Sequence, residues 1–425
     1  MDATVAVKLS MRLLVVSYAF PPWLSPRSVQ SERLLNHLSE RGYEITVVSA
    51  CTDQLGVPLD EELVKMLNNK IKHLPIIEPR YRFLEYLKNH YTTLQKIPDT
   101  ANTWIPWAYH ECRKIASYYD LLLTYSTPVS DHVLGYLIKR RYPDLPWVAF
   151  FSDPYMVNPY IRLSGIEKKI NGWLEKLIIK NADTVIFVNE HTRRKTLARH
   201  HHGYSGKTIV IPHAFDETLY GTNNETNKIL TIRHMGDFYG ERTPEPLLKA
   251  LSLMRKEDPE NLNRITIEFY GNYNKAVREM IIKYGMQDLV FYRGQVNYFH
   301  SLRLMATSDV LLVIDSPSEE NLFLTSKVID YLGANVPILA ITPAKGPTAD
   351  LMRSIGYASY AAYDTASIAR QILEYMELKK SGNISKNIPE KIYERYRIDN
   401  IARDYTELFK HLVSKSIFST AGEIQ

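Results

Sequence analysis

The chain of 425 residues is predicted to be an α/β protein made of two Rossmann-like, doubly wound domains. Its length exceeds what one ordinary hydrophobic core holds, so two domains are expected. Residues 13–18 (LLVVSY) form an apolar run of the kind that is buried in a parallel sheet. A helical segment and a second apolar run follow, and the same alternation starts again after a polar stretch at 217–228. Ligands of such sheets bind beyond the carboxyl ends of the strands, so the cleft between the domains is the expected site.

The first domain is predicted to span residues 11–216. Leu34, Leu35 and Leu38 recur at helical spacing, and Gly42 is expected to end the helix that they predict over 29–42. The strand at 44–50 completes a strand–helix–strand unit, which should cross over in the right-handed sense. Further strands are predicted at 121–125, 147–151, 184–189 and 208–212, and further helices at 129–141 and from Glu190 onward.

The second domain is predicted to span residues 229–390. It follows a linker at 217–228 that carries turn formers and has no periodicity. The strongly periodic stretch 394–413 predicts a helix, and the segment 391–425 is expected to pack back on the first domain. The strands of this domain are predicted at the short β-rich runs 229–236, 265–271, 289–294 and 310–314.

Composition and charge exclude several classes of protein. The 45% apolar and 23% charged residues are typical of a soluble globular protein. A net charge of +5 and the absence of a recognition module argue against nucleic-acid binding. The two cysteines cannot build a disulfide framework, and they favour a reduced, cytoplasmic location. Neither a membrane-spanning run nor a signal peptide is recognisable, and the first strand follows Met11 so directly that Met11 is an alternative start.

Residues 70–97 mix lysine and arginine with tyrosine, phenylalanine, isoleucine and leucine. As an interrupted amphipathic helix, this segment predicts peripheral contact with the inner face of a membrane. The alternative is a helix that packs on the first sheet and keeps a solvated basic face.

Two cations in glycine-bearing turns predict the chemistry of the second domain. Arg242 lies in 234–248 and Lys327 in 323–340, and Asp330 follows Lys327 by one helical turn. The cations suit the phosphates of a nucleoside diphosphate, and the carboxylate suits ribose hydroxyls. Gly236 and Gly240 allow the backbone to approach a phosphate closely. The alternatives are a surface ion pair of Arg242 with Glu241 or Glu245, and an ordinary helix pair of Lys327 with Asp330.

The order of several segments resembles the GT-B-fold glycosyltransferases, most closely the retaining family 4. The resemblance runs from about Met11 to the final helix, and its pieces are 13–50, 182–197, 209–216, 236–248, 269–271, 292–296 and 326–340. It implies transfer of a sugar from a nucleotide-diphosphate sugar to a glycan or lipid-linked acceptor, in the synthesis of surface polysaccharide or glycolipid. It also implies that no cofactor is needed, since Arg242 and Lys327 would bind the phosphates.

The resemblance extends this set of donor-binding residues. The base is expected near Gly294, Gln295 and Val296, held partly by backbone contacts. Lys327 is expected near the positive N-terminal end of a helix that begins at Ser326. The full predicted donor set is Gly236, Tyr239, Gly240, Arg242, Gly271, Gln295, Val296, Ser326, Lys327 and Asp330.

Asp153 completes the predicted catalytic set with Arg242 and Lys327. It ends an apolar strand, and the resemblance implies that it orients the acceptor hydroxyl or steadies charge at the anomeric carbon. The alternative is a cap of the turn that follows. Trp23 and Arg27, in a proline-containing loop, are assigned to acceptor or phosphate contact, and the alternative is a solvated loop. No metal site is expected, because the consecutive residues 200–202 (HHH) cannot face one point and no Asp-x-Asp occurs.

The sequence also departs from the family pattern. Residues 25–28 (SPRS) replace two glycines of the first loop, and His213 replaces an asparagine. Leu322 stands near the place of a sugar-binding glutamate, for which Glu319 or Glu320 is a substitute. These changes affect the identity of the sugar. Alternatives to a transferase are a sugar-nucleotide epimerase and an inactive nucleotide-sugar-binding protein, whereas a dehydrogenase is disfavoured because no Gly-x-Gly-x-x-Gly follows the first strand.

Overall fold

Two parallel sheets with interleaved helices make up the chain. The computed structural model describes residues 10–79, 90–200, 203–221, 227–272, 274–384 and 388–422. The first unit combines Met1–His213 with Ile398–Gln425, and the second is Ala214–Arg397. The predicted class, α/β with two Rossmann-like units, is confirmed. Residues 217–221 of the expected linker lie inside the second unit, because the division of the chain falls at His213 and again at Arg397.

The first unit is built on a seven-stranded parallel sheet. Its strand order is β3-β2-β1-β4-β5-β6-β7, so the direction of winding reverses between β1 and β4. The carboxyl ends of those two strands therefore border a crevice in which ligands of such sheets bind. The strands are β1 Arg12–Val16, β2 Glu44–Ala50, β3 Lys72–Ile76, β4 Leu121–Ser126, β5 Trp147–Phe151, β6 Thr184–Phe187 and β7 Thr208–Val210.

Helices cover this sheet, and the first of them begins before its predicted start. The Oγ atom of Ser25 accepts a hydrogen bond from the backbone N–H of Ser28, and Pro26 occupies the first helical position. Both features are favoured at a helix start, so the proline loop runs directly into the helix and carries Arg27 in its first turn. The helices are α1 Pro26–Glu40, α2 Glu61–Met66, α3 Ile105–Ile115, α4 Ser130–Arg141, α5 Gly165–Asn181 and α6 Glu190–Ala198.

The predicted amphipathic helix over 70–97 is wrong at its start. Residues Lys72–Ile76 form β3, an edge strand parallel to β2, with Leu74 opposite Val48. Their backbone groups complete the ladder of the sheet, which a helix could not do. Residues 80–89 of the predicted segment lie outside the described residues, and Thr92–Lys96 form a 3-10 turn.

The second unit has a six-stranded parallel sheet of order β10-β9-β8-β11-β12-β13, which reverses between β8 and β11. Its strands are β8 Leu230–Met235, β9 Ile265–Tyr270, β10 Val290–Gly294, β11 Val310–Ile314, β12 Ile338–Ile341 and β13 Ser359–Tyr360. Its helices are α7 Glu245–Glu257, α8 Lys275–Lys283, α9 Tyr298–Ala306, α10 Ser326–Ala334, α11 Pro347–Ser354, α12 Thr365–Lys380 and α13 Glu390–Tyr396. Fully buried Leu230, Ile267 and Leu312 place the core on the central strands.

The single helix predicted over 394–413 is two helices, α13 and α14 (Ile398–Gly422). Arg397 between them is extended (φ −64°, ψ 140°), and its side chain donates to Glu394 and Glu217. One local bond and one long-range bond therefore stabilise the break, which the apolar periodicity on either side conceals. Helix α14 lies in the first unit, where Asp399 accepts a hydrogen bond from Arg41 at 2.8 Å and buried Phe409 packs on Tyr43.

Candidate functional site

Arg242 lies in the turn after β8 and contacts Asp315, the residue that follows β11. Arg242 is 5% exposed, its Nη2 donates to Asp315 Oδ1 at 3.4 Å, and its Nη1 donates to the hydroxyl of Tyr239 at 3.0 Å. The alternative of a surface ion pair with Glu241 or Glu245 is disfavoured, because Arg242 is buried and forms its ion pair with Asp315. Arg242 therefore lies at the switch point of the second sheet, where β8 and β11 are neighbours.

Arg242 keeps donor capacity beyond these bonds. Its Nε is buried and has no partner among the described residues. The ring of Tyr239 lies 5.0 Å from the guanidinium carbon and fixes the plane of the group. An oriented guanidinium with unused donors suits two oxygens of one anion.

Lys327 approaches the same turn from the start of α10. A Cβ added to Gly236 would lie 3.0 Å from its Nζ and would displace the ammonium slightly, and the φ of +105° also favours glycine here. Burial and the neighbouring charge of Arg242 lower the pKa of Lys327 to about 7, although Asp315 and Asp237 oppose this effect. Lys327 thus points to β8, which argues against an ordinary helix pair with Asp330.

His234 orients the ammonium of Lys327. Its Nδ1–H donates to the carbonyl of Leu312 at 2.9 Å, which leaves the lone pair of Nε2 facing Lys327 Nζ at 3.4 Å. Burial and the charge of Lys327 hold the pKa of His234 well below its usual value, so the ring is neutral. The ring also stacks on Phe238 at 4.4 Å. Sequence reasoning missed this residue, although a histidine inside an apolar strand next to Gly236 was a usable signal.

Gly271, which follows β9, packs closely against the turn after β8. A Cβ at this position would lie 2.7 Å from Asp237 Oδ1 and 2.9 Å from the carbonyl of Gly236. Asp237 itself accepts from the backbone and side-chain N–H groups of Asn272, at 2.7 Å and 2.8 Å. The predicted donor residue Gly271 therefore allows β8 and β9 to end close together.

Asp330 lies on the buried face of α10, near the end of β10. It is 5% exposed, and Oδ1 accepts from the hydroxyl of Tyr298 at 3.3 Å. Tyr298 begins α9 directly after the turn that holds Gln295, which is exposed, and Val296, which is half-buried. Tyr298, another residue that sequence reasoning missed, therefore connects the predicted base and ribose residues.

The N-terminus of α10 offers further polar groups. Ser326 is its first residue, and the preceding Thr325 makes no side-chain bond to the first turn. The hydroxyl of Thr325 is buried without a partner in the part of the chain that the structure describes. A helix of nine residues with an uncapped start beside two cations favours an anion at this place.

The loop after β11 buries Leu322 but not the two glutamates that precede it. Leu322 is 3% exposed, whereas Glu319 is exposed and Glu320 half-buried. Asn321 anchors the loop by donating from Nδ2 to Asp315 Oδ2 and from its backbone N–H to the carbonyl of Lys345, both at 2.9 Å.

In the first unit, Arg27 reaches from the first turn of α1 to the end of β4, and Asp153 follows the neighbouring strand β5. Arg27 donates from Nη2 to the carbonyl of Ser126 and lies within 5.3 Å of the rings of Tyr125 and Phe150. Within the described ranges its Nε and Nη1 have no partner. Burial lowers the pKa of Arg27, and the charge of Asp153 opposes this shift.

Asp153 accepts a hydrogen bond from the hydroxyl of Thr127 at 3.3 Å, across from the loop that follows β4. Burial raises the pKa of Asp153, and Arg27 opposes this shift. The side chain therefore contacts a neighbouring strand end, which disfavours a simple cap of its own turn. Trp23 packs edge-on against Tyr18 at 5.9 Å.

His213, at the place of the family's asparagine, is also neutral. Burial and the charges of Arg27 and Arg33 lower its pKa to about 3, and its ring lies 5.8 Å from that of Phe150.

Comparisons with known proteins identify the fold. Residues 28–219 match the model described as Glycosyltransferase Family 4. No curated protein matches the sequence. The structure is similar to sucrose-phosphate synthase from Thermosynechococcus elongatus, with a TM-score of 0.69 and 14% identity over 95% of this chain and 100% of that one. The chain has the GT-B glycosyltransferase fold.

Two further solved structures with a similar fold carry different descriptions. A trehalose-6-phosphate protein from E. coli, bound with UDP-2-fluoro glucose, has a TM-score of 0.65 and 14% identity, over 94% of this chain and 99% of that one. A protein described as a UDP-N-acetylglucosamine 2-epimerase from Listeria monocytogenes has a TM-score of 0.58 and 12% identity, over 96% and 97%. The fold alone therefore leaves transfer and epimerisation both open.

Other features of this GT-B chain complete the description. Among the described residues, no group of three or more His, Cys, Asp or Glu could hold a metal ion. His200 lies 2.9 Å from Glu175 Oε2, while residues 201–202 lie outside the described ranges. None of the helices in those ranges combines the length and apolar character that crossing a bilayer requires.

Proposed function

We propose that this GT-B protein is a glycosyltransferase that moves a hexosyl group from a nucleotide-diphosphate sugar to a glycan or lipid-linked acceptor. The observation that carries the proposal is the pair of cations, Arg242 and Lys327, at the switch point of the second sheet. Burial and, next, repulsion by Arg242 lower the pKa of Lys327 to about 7, although Asp315 and Asp237 are near. A diphosphate relieves that repulsion, and its developing charge is what a departing nucleotide presents.

Arg242, Lys327 and the groups around them bind the parts of the donor. Arg242 and Lys327 bind the phosphates, together with the N-terminus of α10. Asp330 accepts from the ribose hydroxyls, and Gln295 and Val296 contact the base. Tyr298 follows the turn that holds Gln295 and Val296, and its hydroxyl donates to Asp330. Its position between the base contacts and the ribose contact supports the assignment.

The transfer step needs neither a metal nor a protein nucleophile in this proposal. The bond from the anomeric carbon to the diphosphate breaks, and the acceptor oxygen bonds to the same face of that carbon. The acceptor proton passes to an oxygen of the departing phosphate. Asp153 orients the acceptor hydroxyl, and Arg27 contacts the acceptor. Activity that persists in excess chelator supports this scheme, and its complete loss contradicts it.

The first experiment is a thermal-shift screen of the whole protein against a panel of nucleotide sugars, because a ligand of the native state raises the melting temperature. The double variant Arg242→Ala/Lys327→Ala should lose the shift and the transfer of sugar. The matched control is Lys275→Ala/Arg278→Ala, which removes two exposed cations from α8 of the same unit. Transfer at the wild-type rate by the first double variant would overturn the proposal.

The similarity to an epimerase supports a second candidate activity on the same donor. An epimerase isomerises the sugar when no acceptor is present, whereas a transferase does not. Incubation with the donor alone, followed by analysis of the sugar, separates the two. Binding of the donor without either reaction would identify an inactive binding protein, for which the buried Leu322 is the best argument.

We also place the reaction in the cytoplasm, at the inner face of a membrane, in the synthesis of surface polysaccharide or glycolipid. The support for this location is the small number of cysteines and the basic aromatic segment 70–97, of which Ile77 and Tyr91 are exposed. Fractionation of cells, with the protein found at the membrane and released by salt, tests it.

A further inference from the structure

Helix α5 exposes an apolar stripe to solvent. Ile166, Ile170 and Trp173 are 67%, 36% and 59% exposed, and their spacing of four and three residues places them on one face. Leu174 and Ile178, on an adjacent face of the helix, are buried. The helix therefore has apolar side chains on two faces, and only one of them contributes to the core.

A row of lysines runs beside this stripe. Lys169, Lys176 and Lys180 are exposed, and their spacing of seven and four residues places them on one line along the helix. The exposed face carries no opposing charge, because both carboxylates of α5 are buried. Glu167 accepts from the backbone N–H of Ser164 at 2.6 Å, and Glu175 lies 3.3 Å from Arg199.

A cavity adjoins the start of the helix. It has a volume of about 260 Å³, and its lining combines Met156, Ile161 and Leu163 with the cations Lys168 and Arg199. Exposed Tyr160 and Ile161 lie in the loop that precedes α5, which extends the apolar surface beyond the helix. Apolar and cationic groups thus line this cavity together.

We propose that α5 docks on an anionic lipid surface, with Ile166, Ile170 and Trp173 inserted at the headgroup boundary and the lysine row on the headgroups. The uniformly positive charge beside the stripe favours lipid over a second copy of this chain, whose matching face would repel it. Tryptophan is favoured at such boundaries, and a basic amphipathic helix binds in their plane.

This inference deepens the proposed function, because a lipid-linked acceptor would be met at the docked surface. The loop that starts at Asp153 ends at α5, so docking holds one end of that loop at the membrane. The docking itself requires no transfer of sugar, so the two ideas can fail separately.

The test is co-sedimentation of the whole protein with phosphatidylcholine vesicles, with and without phosphatidylglycerol. The wild type should bind the anionic vesicles and be released by high salt. Ile166→Ser/Ile170→Ser/Trp173→Ser should bind at least about tenfold more weakly. Replacing the lysine row by glutamine should weaken binding about fivefold per lysine and abolish the preference for anionic lipid.

The matched control is Ile282→Ser/Tyr363→Ser, which removes exposed apolar groups from the second unit and should bind like the wild type. All variants should keep the wild-type melting temperature and the shift with the donor, which shows that the fold and donor site are intact. Equal binding by the triple serine variant and the wild type would overturn the proposal. So would a dimer in light scattering that the triple variant abolishes, because the stripe would then be an interface between copies.

Discussion

If Lys327 binds a nucleoside diphosphate as proposed, its pKa makes the affinity for this ligand depend on pH. Burial and Arg242 lower this pKa from 10.5 to about 7 in the free protein. A bound diphosphate stabilises the ammonium and raises the pKa again. Above pH 7 the protein must therefore take up a proton in order to bind the nucleotide, and binding weakens as the pH rises.

The size of the effect follows from the difference between the two pKa values. Each unit of difference corresponds to about 1.36 kcal/mol, or a factor of about ten in affinity. If the pKa of Lys327 returns towards 10.5 in the complex, the dissociation constant of the nucleotide rises nearly tenfold per pH unit above pH 7. Between pH ~7.5 and ~9 the expected loss is roughly 30-fold, or about 2 kcal/mol.

The assay is titration calorimetry with the nucleoside diphosphate of the donor that the thermal-shift screen selects. Measurements above pH ~7.5 keep the terminal phosphate ionised, since its second pKa lies near 6. The matched variant is Lys327→Arg, because a guanidinium stays protonated over the whole range. Its affinity should be independent of pH. A wild type with a flat profile, or an arginine variant with the wild-type slope, would refute the reasoning.

The other predictions test neighbouring groups. Lys327→Met should raise the melting temperature of the ligand-free protein at pH ~6 and lose this advantage by pH ~10. The pKa of Lys327 is lower in the folded than in the unfolded protein, so the charged lysine destabilises the fold most below pH 7. The stability of the wild type therefore rises with pH between about 7 and 10.5. A variant less stable than the wild type at pH ~6 would contradict this. Asp153→Asn should cut turnover strongly and leave the affinity for donor nearly unchanged in calorimetry; wild-type turnover would exclude Asp153 from the mechanism. Arg27→Lys should lower kcat/KM for the acceptor while the donor-induced thermal shift stays, and an equal loss of both would assign Arg27 to the donor. Because a Cβ at Gly271 would lie 2.7 Å from Asp237, Gly271→Ala should destabilise the protein by about 1–3 kcal/mol in urea denaturation, and unchanged stability would show that the turn can relax.

Local patterns in the sequence were sufficient to predict most of the strands and helices. The apolar runs at β1, β4 and β11 predicted strands because residues buried on both faces of a parallel sheet must all be apolar. The edge strand β3 escaped prediction, since only Ile76 of its five residues is buried and its pairing with β2 is not a local property. The helix break at Arg397 was not predicted for a related reason, because one of the hydrogen-bond partners of its side chain, Glu217, is 180 residues away.

The sequence by itself determined which groups of this GT-B chain are available for an anion: Arg242 and Lys327 in turns with the glycines that close approach requires. Only the tertiary structure decided what surrounds them. Asp315 is 73 residues from Arg242, and His234 is 93 residues from Lys327. Both pairs form because the strand order makes β8 and β11 neighbours and because α10 begins beside their ends. The lowered pKa of Lys327 follows from burial and from the nearby Arg242, and both depend on how distant segments pack rather than on the residues adjacent in sequence.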